Sequence, residues 1–107
     1  MNAAEATTPK LVSAVRILRR SGLSLNQVDS LIAISLADDI GPTSLASRLN
    51  VCSAAVTQIL DVLEGRRYIS RRYAAGTGDR RKTVLGLTEA GRQFLESLES
   101  LMEAAER

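Results

Sequence analysis

The chain has no histidine, a single cysteine and only three aromatic residues. Without histidine it lacks the side chain that most often moves protons near neutral pH. Its acids fall on separate predicted helices, and neither a glycine-rich phosphate loop nor a cluster with metal-ligand spacing is present. An enzyme is therefore not expected, and no metal or cofactor is implied. Cys52 has no second cysteine to pair with, which fits a reducing compartment. No run approaches the roughly eighteen apolar residues of a membrane span, and MNAAEATTPK has no apolar leader core. These absences predict a cytoplasmic protein with no membrane partner.

At 107 residues the chain has room for one domain, 1–107, with a limited core. Its formal charge of +2 is unevenly placed. Seven basic residues and one acid stand between Arg66 and Lys82, a local charge of +6 that leaves −4 elsewhere. Such a ribbon can be a solvated surface, or the electrostatic footprint of a protein that holds phosphates. The residues just before it favour the second reading.

In PTSLASRLNVCSAAVTQILDVLEG, the positions Leu45, Ala46, Leu49, Val51, Val56, Ile59, Leu60 and Leu63 are spaced for two short helices. Each helix buries one face, with a turn near Leu49 and Asn50, which is a helix-turn-helix pattern. The second helix starts at Cys52 or Ser53 and runs to about Gly65. The period then changes to two over Tyr68–Tyr73 and again over Lys82–Leu87, around a glycine-containing tip at 74–78. A hairpin after a helix-turn-helix makes a winged helix. The fold class expected is mainly α with a small β-hairpin wing and about five helices.

Upstream, residues 1–7 read as a frayed tail, with Pro9 in the first turn of a helix carrying Leu11, Val12, Val15, Ile17 and Leu18 up to Arg20. Ser24 and Gln27 form a capping box for a second helix that is apolar on much of its circumference. Asp38–Pro42 breaks it, Ile40 can add one rung beside the wing, and Thr43 can cap the next helix. Thr88 caps a last helix on which Phe94, Leu95, Leu98, Leu101, Met102 and Ala105 repeat at three- and four-residue spacing.

The segments GRRYISRR and GDRRKTVLGLTEAG resemble the wing of the MarR family of bacterial regulators. That pattern is a D-x-R pair, here Asp79 and Arg81, then a strand and L-T-x-x-G opening a helix, here Leu87, Thr88 and Gly91. The resemblance covers roughly residues 24–95. It implies a sequence-specific regulator of transcription that binds double-stranded DNA as a homodimer, acting as a repressor on an inverted repeat. In this division 9–21 and 88–107 are dimerisation helices and 24–87 is the winged helix-turn-helix. The dimer-interface residues would be Leu11, Val15, Leu18, Phe94, Leu98, Leu101, Met102 and Ala105; the alternative for the last helix is packing against the first helix of its own chain.

If Val56, Ile59, Leu60 and Leu63 face inward, then Ser53, Ala54, Thr57, Gln58 and Asp61 face outward. Gln58 can pair with adenine N6 and N7, Thr57 and Ser53 can bond a base or a phosphate, and Ala54 can touch a thymine methyl. No arginine stands on this face before Arg66, so an A·T-rich half-site is expected. Thr43 and Ser44 open a helix whose free amides favour a phosphate. Arg71 and Arg72 alternate across a strand, so at most one of them points at the duplex; Arg72 is expected to hold a phosphate and Arg71 to pair with a carboxylate. By resemblance, Arg80 enters the minor groove while Asp79 and Arg81 hold the wing in shape, or the two arginines exchange roles; Lys82 adds a further cation beside them.

The chain departs from the family pattern in three places. The family typically has glycine where Arg67 stands, so either the recognition helix ends sooner or Arg67 takes a left-handed conformation. The wing is about two residues longer than in common members. The aromatic-lined ligand pocket of the family finds only Tyr68, Tyr73 and Phe94 to build it, so a phenolic effector is not expected. Cys52 reads as a small residue filling the turn, with oxidation at the start of the recognition helix as the alternative. A competing function is a protein-docking module of a mobile-element or replication assembly, and a third is a sequence-blind architectural binder.

Overall fold

The computed structural model describes residues 3–37, 39–73 and 83–105. Among these are five helices and one two-stranded antiparallel sheet. Helix α1 spans Ala3–Arg20 and contains Pro9, six residues earlier than the start expected at Pro9. Alanine is the strongest helix former, and the alanines at 3, 4 and 6 outweigh the single hydrogen bond that Pro9 removes. Gly22, at φ 78°, turns the chain out of this helix.

Helix α2, Leu25–Leu36, opens on the expected box: Ser24 Oγ accepts from Gln27 N–H at 3.2 Å, and Gln27 Oε1 accepts from Ser24 N–H at 2.9 Å. It forms the centre of the core, burying Val28, Leu31, Ala33 and Ile34. Leu25, Ile32 and Leu36 remain exposed on its far side, so the helix is not buried all round.

Helix α3, Pro42–Leu49, starts one residue before Thr43. Gly41 is its N-cap and contributes no side-chain bond, so Thr43 is not the cap expected from the sequence. Proline fits the first helical position because its missing N–H would be unpaired there anyway, and Pro42 moves the boundary forward. Asn50 closes α3 in the left-handed region (φ 55°, ψ 49°), its N–H directed at Ala46 and Ser47 oxygens. After this turn comes α4, Ser53–Gly65, which buries Val56, Ile59, Leu60 and Leu63 against the common core.

The end of α4 resolves the Arg67 question. Tyr68 N–H donates to Leu63 O (3.0 Å) and Arg67 N–H to Glu64 O (2.9 Å), the two bonds of a Schellman motif. Arg67 occupies the position that favours glycine, at φ 64°. The helix does not end sooner; an arginine takes the left-handed conformation.

Strands β1, Ile69–Tyr73, and β2, Thr83–Leu87, pair in the register Ile69↔Leu87, Arg71↔Leu85 and Tyr73↔Thr83. Cross-strand partners share a face, so Ile69, Leu85 and Arg71 lie on the core side and Ser70, Arg72 and Val84 on the other. Ile40 adds the expected rung, with Leu85 N–H donating to its carbonyl at 2.9 Å. Helix α5, Glu89–Ala105, packs against α1 and α2. Thr88 caps it, its Oγ1 accepting from Gly91 N–H at 3.1 Å. Tyr68 and Phe94 stack at 4.6 Å between ring centroids, which ties the end of the helix-turn-helix to α5.

Candidate nucleic-acid interface

Helix α4 presents a continuous exposed row. Ser53, Ala54, Thr57, Gln58 and Asp61 all face solvent, opposite the buried Val56, Ile59, Leu60 and Leu63. Residues 53, 54, 57 and 58 fall in the N-terminal half, where a helix enters a groove end-on. Thr57 Oγ1 donates to Ser53 O at 3.1 Å, so its hydroxyl proton is spent within the helix. What Thr57 offers outward is its methyl group and a lone pair. Gln58 has no side-chain bond among the described residues and leaves both amide edges available. Cys52 is exposed at the N-cap, and its side chain makes no capping bond.

Thr43 and Ser44 are exposed in the first turn of α3, where no side chain among the described residues caps the free amides. An anion is favoured at such a start by the amides and by the helix dipole together. Thr43 stands in this turn although it is not the cap.

The arginines of the basic ribbon differ in what they do. Arg66 reaches back across the fold, its Nη2 donating to Gly22 O at 3.2 Å. Arg71 turns under the hairpin towards α4, where Nη2 donates to Asp61 Oδ1 at 2.6 Å and Nε lies 3.2 Å from Glu64 Oε2. The Nε N–H is closed off from solvent but is not aimed at that oxygen, so the second contact is electrostatic and not a hydrogen bond. Arg72 projects from the opposite face of the strand and is exposed. The sequence pointed to a carboxylate for Arg71 but not to which one; Asp61 and Glu64, three residues apart on α4, are the missing partners. The Arg66 bond had no sequence signal, because its acceptor is a backbone oxygen 44 residues away. Asp79, Arg80, Arg81 and Lys82, with the tip at 74–78, lie outside the described residues.

The model of the MarR family matches residues 23–83, from the turn before α2 to the second strand of the hairpin. The chain belongs to the MarR family. It is 35% identical over 86 residues to the HTH-type transcriptional regulator YdgJ of Bacillus subtilis, covering 80% of this chain and 51% of that protein. It is 39% identical over 77 residues to the HTH-type transcriptional repressor YetL of the same organism, covering 70% of this chain and 45% of that one. The chain thus spans about half the length of these curated relatives. Among solved structures it superposes on the Staphylococcus aureus MepR–DNA complex with a TM-score of 0.81 at 22% identity, over 96% of this chain and 83% of that one. Both Bacillus subtilis relatives are HTH-type transcriptional regulators.

The residues expected at a dimer interface divide into two groups. Leu11, Val15 and Leu101 are 59%, 50% and 53% exposed, and Val12 joins them on α1. Leu18, Phe94 and Leu98 pack against the core of their own chain, because α1 crosses α5 and the stripe on α5 is wide enough to face the core as well as solvent. Met102 is half-buried and Ala105 exposed. Between α1, α2 and α5 runs an open apolar cleft of about 630 Å³, lined by Leu18, Leu25, Ile32, Leu36, Leu95 and Met102 among others. None of its lining residues is aromatic. No helix among the described residues is long and apolar enough to cross a membrane.

Proposed function

We propose that this MarR-family chain binds double-stranded DNA site-specifically as a homodimer and represses transcription by occupying an inverted repeat. The observation that carries this reading is the exposed row of Ser53, Ala54, Thr57 and Gln58 on α4, with the cation Arg72 exposed on the adjoining strand. In this arrangement α4 enters the major groove, with Gln58 as base reader, while the hairpin lies at the neighbouring minor groove. Thr43, Ser44 and Arg72 hold phosphates, and Lys82 and one of Arg80 and Arg81 supply further cations. DNA bound to MepR, which shares the fold, supports the same partner here. Repression is supported by the similarity to YetL, a transcriptional repressor.

Pairing of two chains is supported by the exposed apolar residues of α1 and α5 and by shape. The described molecule measures 60 × 27 × 21 Å with a radius of gyration of 16.1 Å, against about 13 Å for a compact chain of this length. An elongated chain with Leu11, Val12, Val15 and Leu101 in solvent has apolar surface left to bury.

Selection from random duplex DNA at about 0.15 M salt tests the reading, because backbone attraction is partly screened there. Enrichment of an inverted repeat with half-sites about one helical turn apart is the expected result. Binding without enrichment would favour an architectural protein, and no binding at all a protein-docking module.

A further inference from the structure

The exposed side of α4 carries two carboxylates, Asp61 and Glu64, in its C-terminal half. Asp61 lies three residues beyond Gln58 on the same side of the helix. Left bare, both would raise a negative potential close to the phosphates of any groove that the helix entered. A single guanidinium meets both. Arg71 comes from the core-facing side of β1 with its side chain 29% exposed, against 64% for Asp61 and 49% for Glu64. Its planar fork can address two acceptors at once, which a lysine ammonium on a flexible stem does not do in a fixed geometry.

We propose that Arg71 is a positioning residue for site recognition: by clamping Asp61 and Glu64 it fixes the base of the hairpin against the groove-entering helix. The proposal rests on the reading that the chain binds duplex DNA. Its consequence is that one cation of the basic ribbon contributes to specificity without touching a phosphate. The distance and angle between two DNA-contacting elements determine whether both can be in register with one site, and this contact joins those elements directly. Exposed ion pairs add little to stability, so the effect belongs in recognition and not in the melting temperature.

The test compares the parent with Asp61→Asn/Glu64→Gln and with Arg71→Lys, on the selected site and on a scrambled duplex, across a salt series. Removing two negative charges would by itself tighten binding to every duplex. The clamp predicts instead that the preference for the selected site falls by about tenfold, the scale of one mismatched base pair. The slope of log affinity against log salt stays at the parent value, because Arg71 leaves no phosphate unpaired. Arg71→Lys, which keeps every charge, shows the same loss of preference and guards against a folding defect in the double variant. Tighter binding with the preference intact, or a slope steeper by about 0.9 as a freed Arg71 takes up a phosphate, overturns the proposal.

A readout without DNA separates this proposal from the reading beneath it. The solvent-shielded Nε–H of Arg71 should give a slowly exchanging resonance in the parent that is lost in the double variant. A parent with no site preference would overturn the regulator reading while leaving this resonance to decide the clamp. Rapid exchange of Arg71 Nε–H in the parent would overturn the clamp itself.

Discussion

Thr88 Oγ1 donates a 2.6 Å hydrogen bond to the carbonyl oxygen of Arg67, twenty-one residues earlier in the chain. Thr88 Oγ1 also accepts from Gly91 N–H at 3.1 Å, and the Thr88 backbone N–H donates to Tyr68 O at 3.0 Å. One threonine therefore caps α5 and fastens its start to the turn that ends α4. Thr88→Val keeps the volume and removes both side-chain bonds. A loss of about 1–2 kcal/mol in urea unfolding is expected, and an unchanged midpoint would show that the bonds do not matter.

Gly91 shows why the last position of the L-T-x-x-G motif is small. A Cβ placed there would stand 2.2 Å from Tyr68 O and 2.9 Å from Leu87 Cδ1, and the first of these is backbone that cannot rotate away. Gly91→Ala should destabilise the fold by about 1–3 kcal/mol despite alanine's better helix propensity. A stabilised variant would mean that α5 can slide off the hairpin without loss.

Arg67 makes the opposite prediction. At φ 64° it occupies a conformation that costs a residue with a Cβ about 1–2 kcal/mol, and glycine relieves this at some cost in unfolded-state entropy. Arg67→Gly is expected to stabilise the protein by about 1 kcal/mol. Thermal melting at matched ionic strength would reveal the sign.

For recognition, Gln58→Ala should cost about 1–3 kcal/mol at one base position of the selected site and little at the others. Binding to single-base variants of the site measures this. A uniform loss over all positions would remove Gln58 from base reading and make it a general contact.

At the start of α5, Arg92 bonds Glu89 and Glu96, with its Nε 2.9 Å from Glu89 Oε2. The hydrogen bond from Arg92 holds the Glu89 carboxyl below its ordinary value of 4.5, and Glu89 reciprocally raises the Arg92 guanidinium. Because the folded value is the lower one, any stability from this contact is present above the ordinary carboxylate range and is lost as pH falls through the folded value. Side-chain NMR titration should find Glu89 protonating below 4.5 in the parent and shifting up in Arg92→Ala. Titration at or above that value in the parent would rule the contact out in solution.

The parts of this fold legible in the sequence are those set by near neighbours. The Ser24–Gln27 box, the Thr88 cap and the inward face of α4 follow from residues three or four apart. Alternation on a strand separated Arg71 from Arg72, and the Ile40 rung followed from a lone apolar residue in a polar break. Where two local rules competed, the sequence misled: Pro42 at a first helical position displaced Thr43 as the cap, and helix-forming alanines extended α1 past Pro9. The Phe94 and Leu98 positions show a different limit. A helical stripe says that a face is buried but not whether the cover comes from the same chain.

The bond from Arg66 to the carbonyl of Gly22 joins the last turn of α4 to the bend between α1 and α2. Gly22 is the point about which α1 could swing, and its left-handed backbone lies directly under the guanidinium, with a built Cβ only 3.2 Å from Nη1. A rotation of α1 about this bend would have to break or carry the Arg66 bond. The last turn of α4 and the bend after α1 are thus braced by an arginine that net charge alone would assign to phosphate.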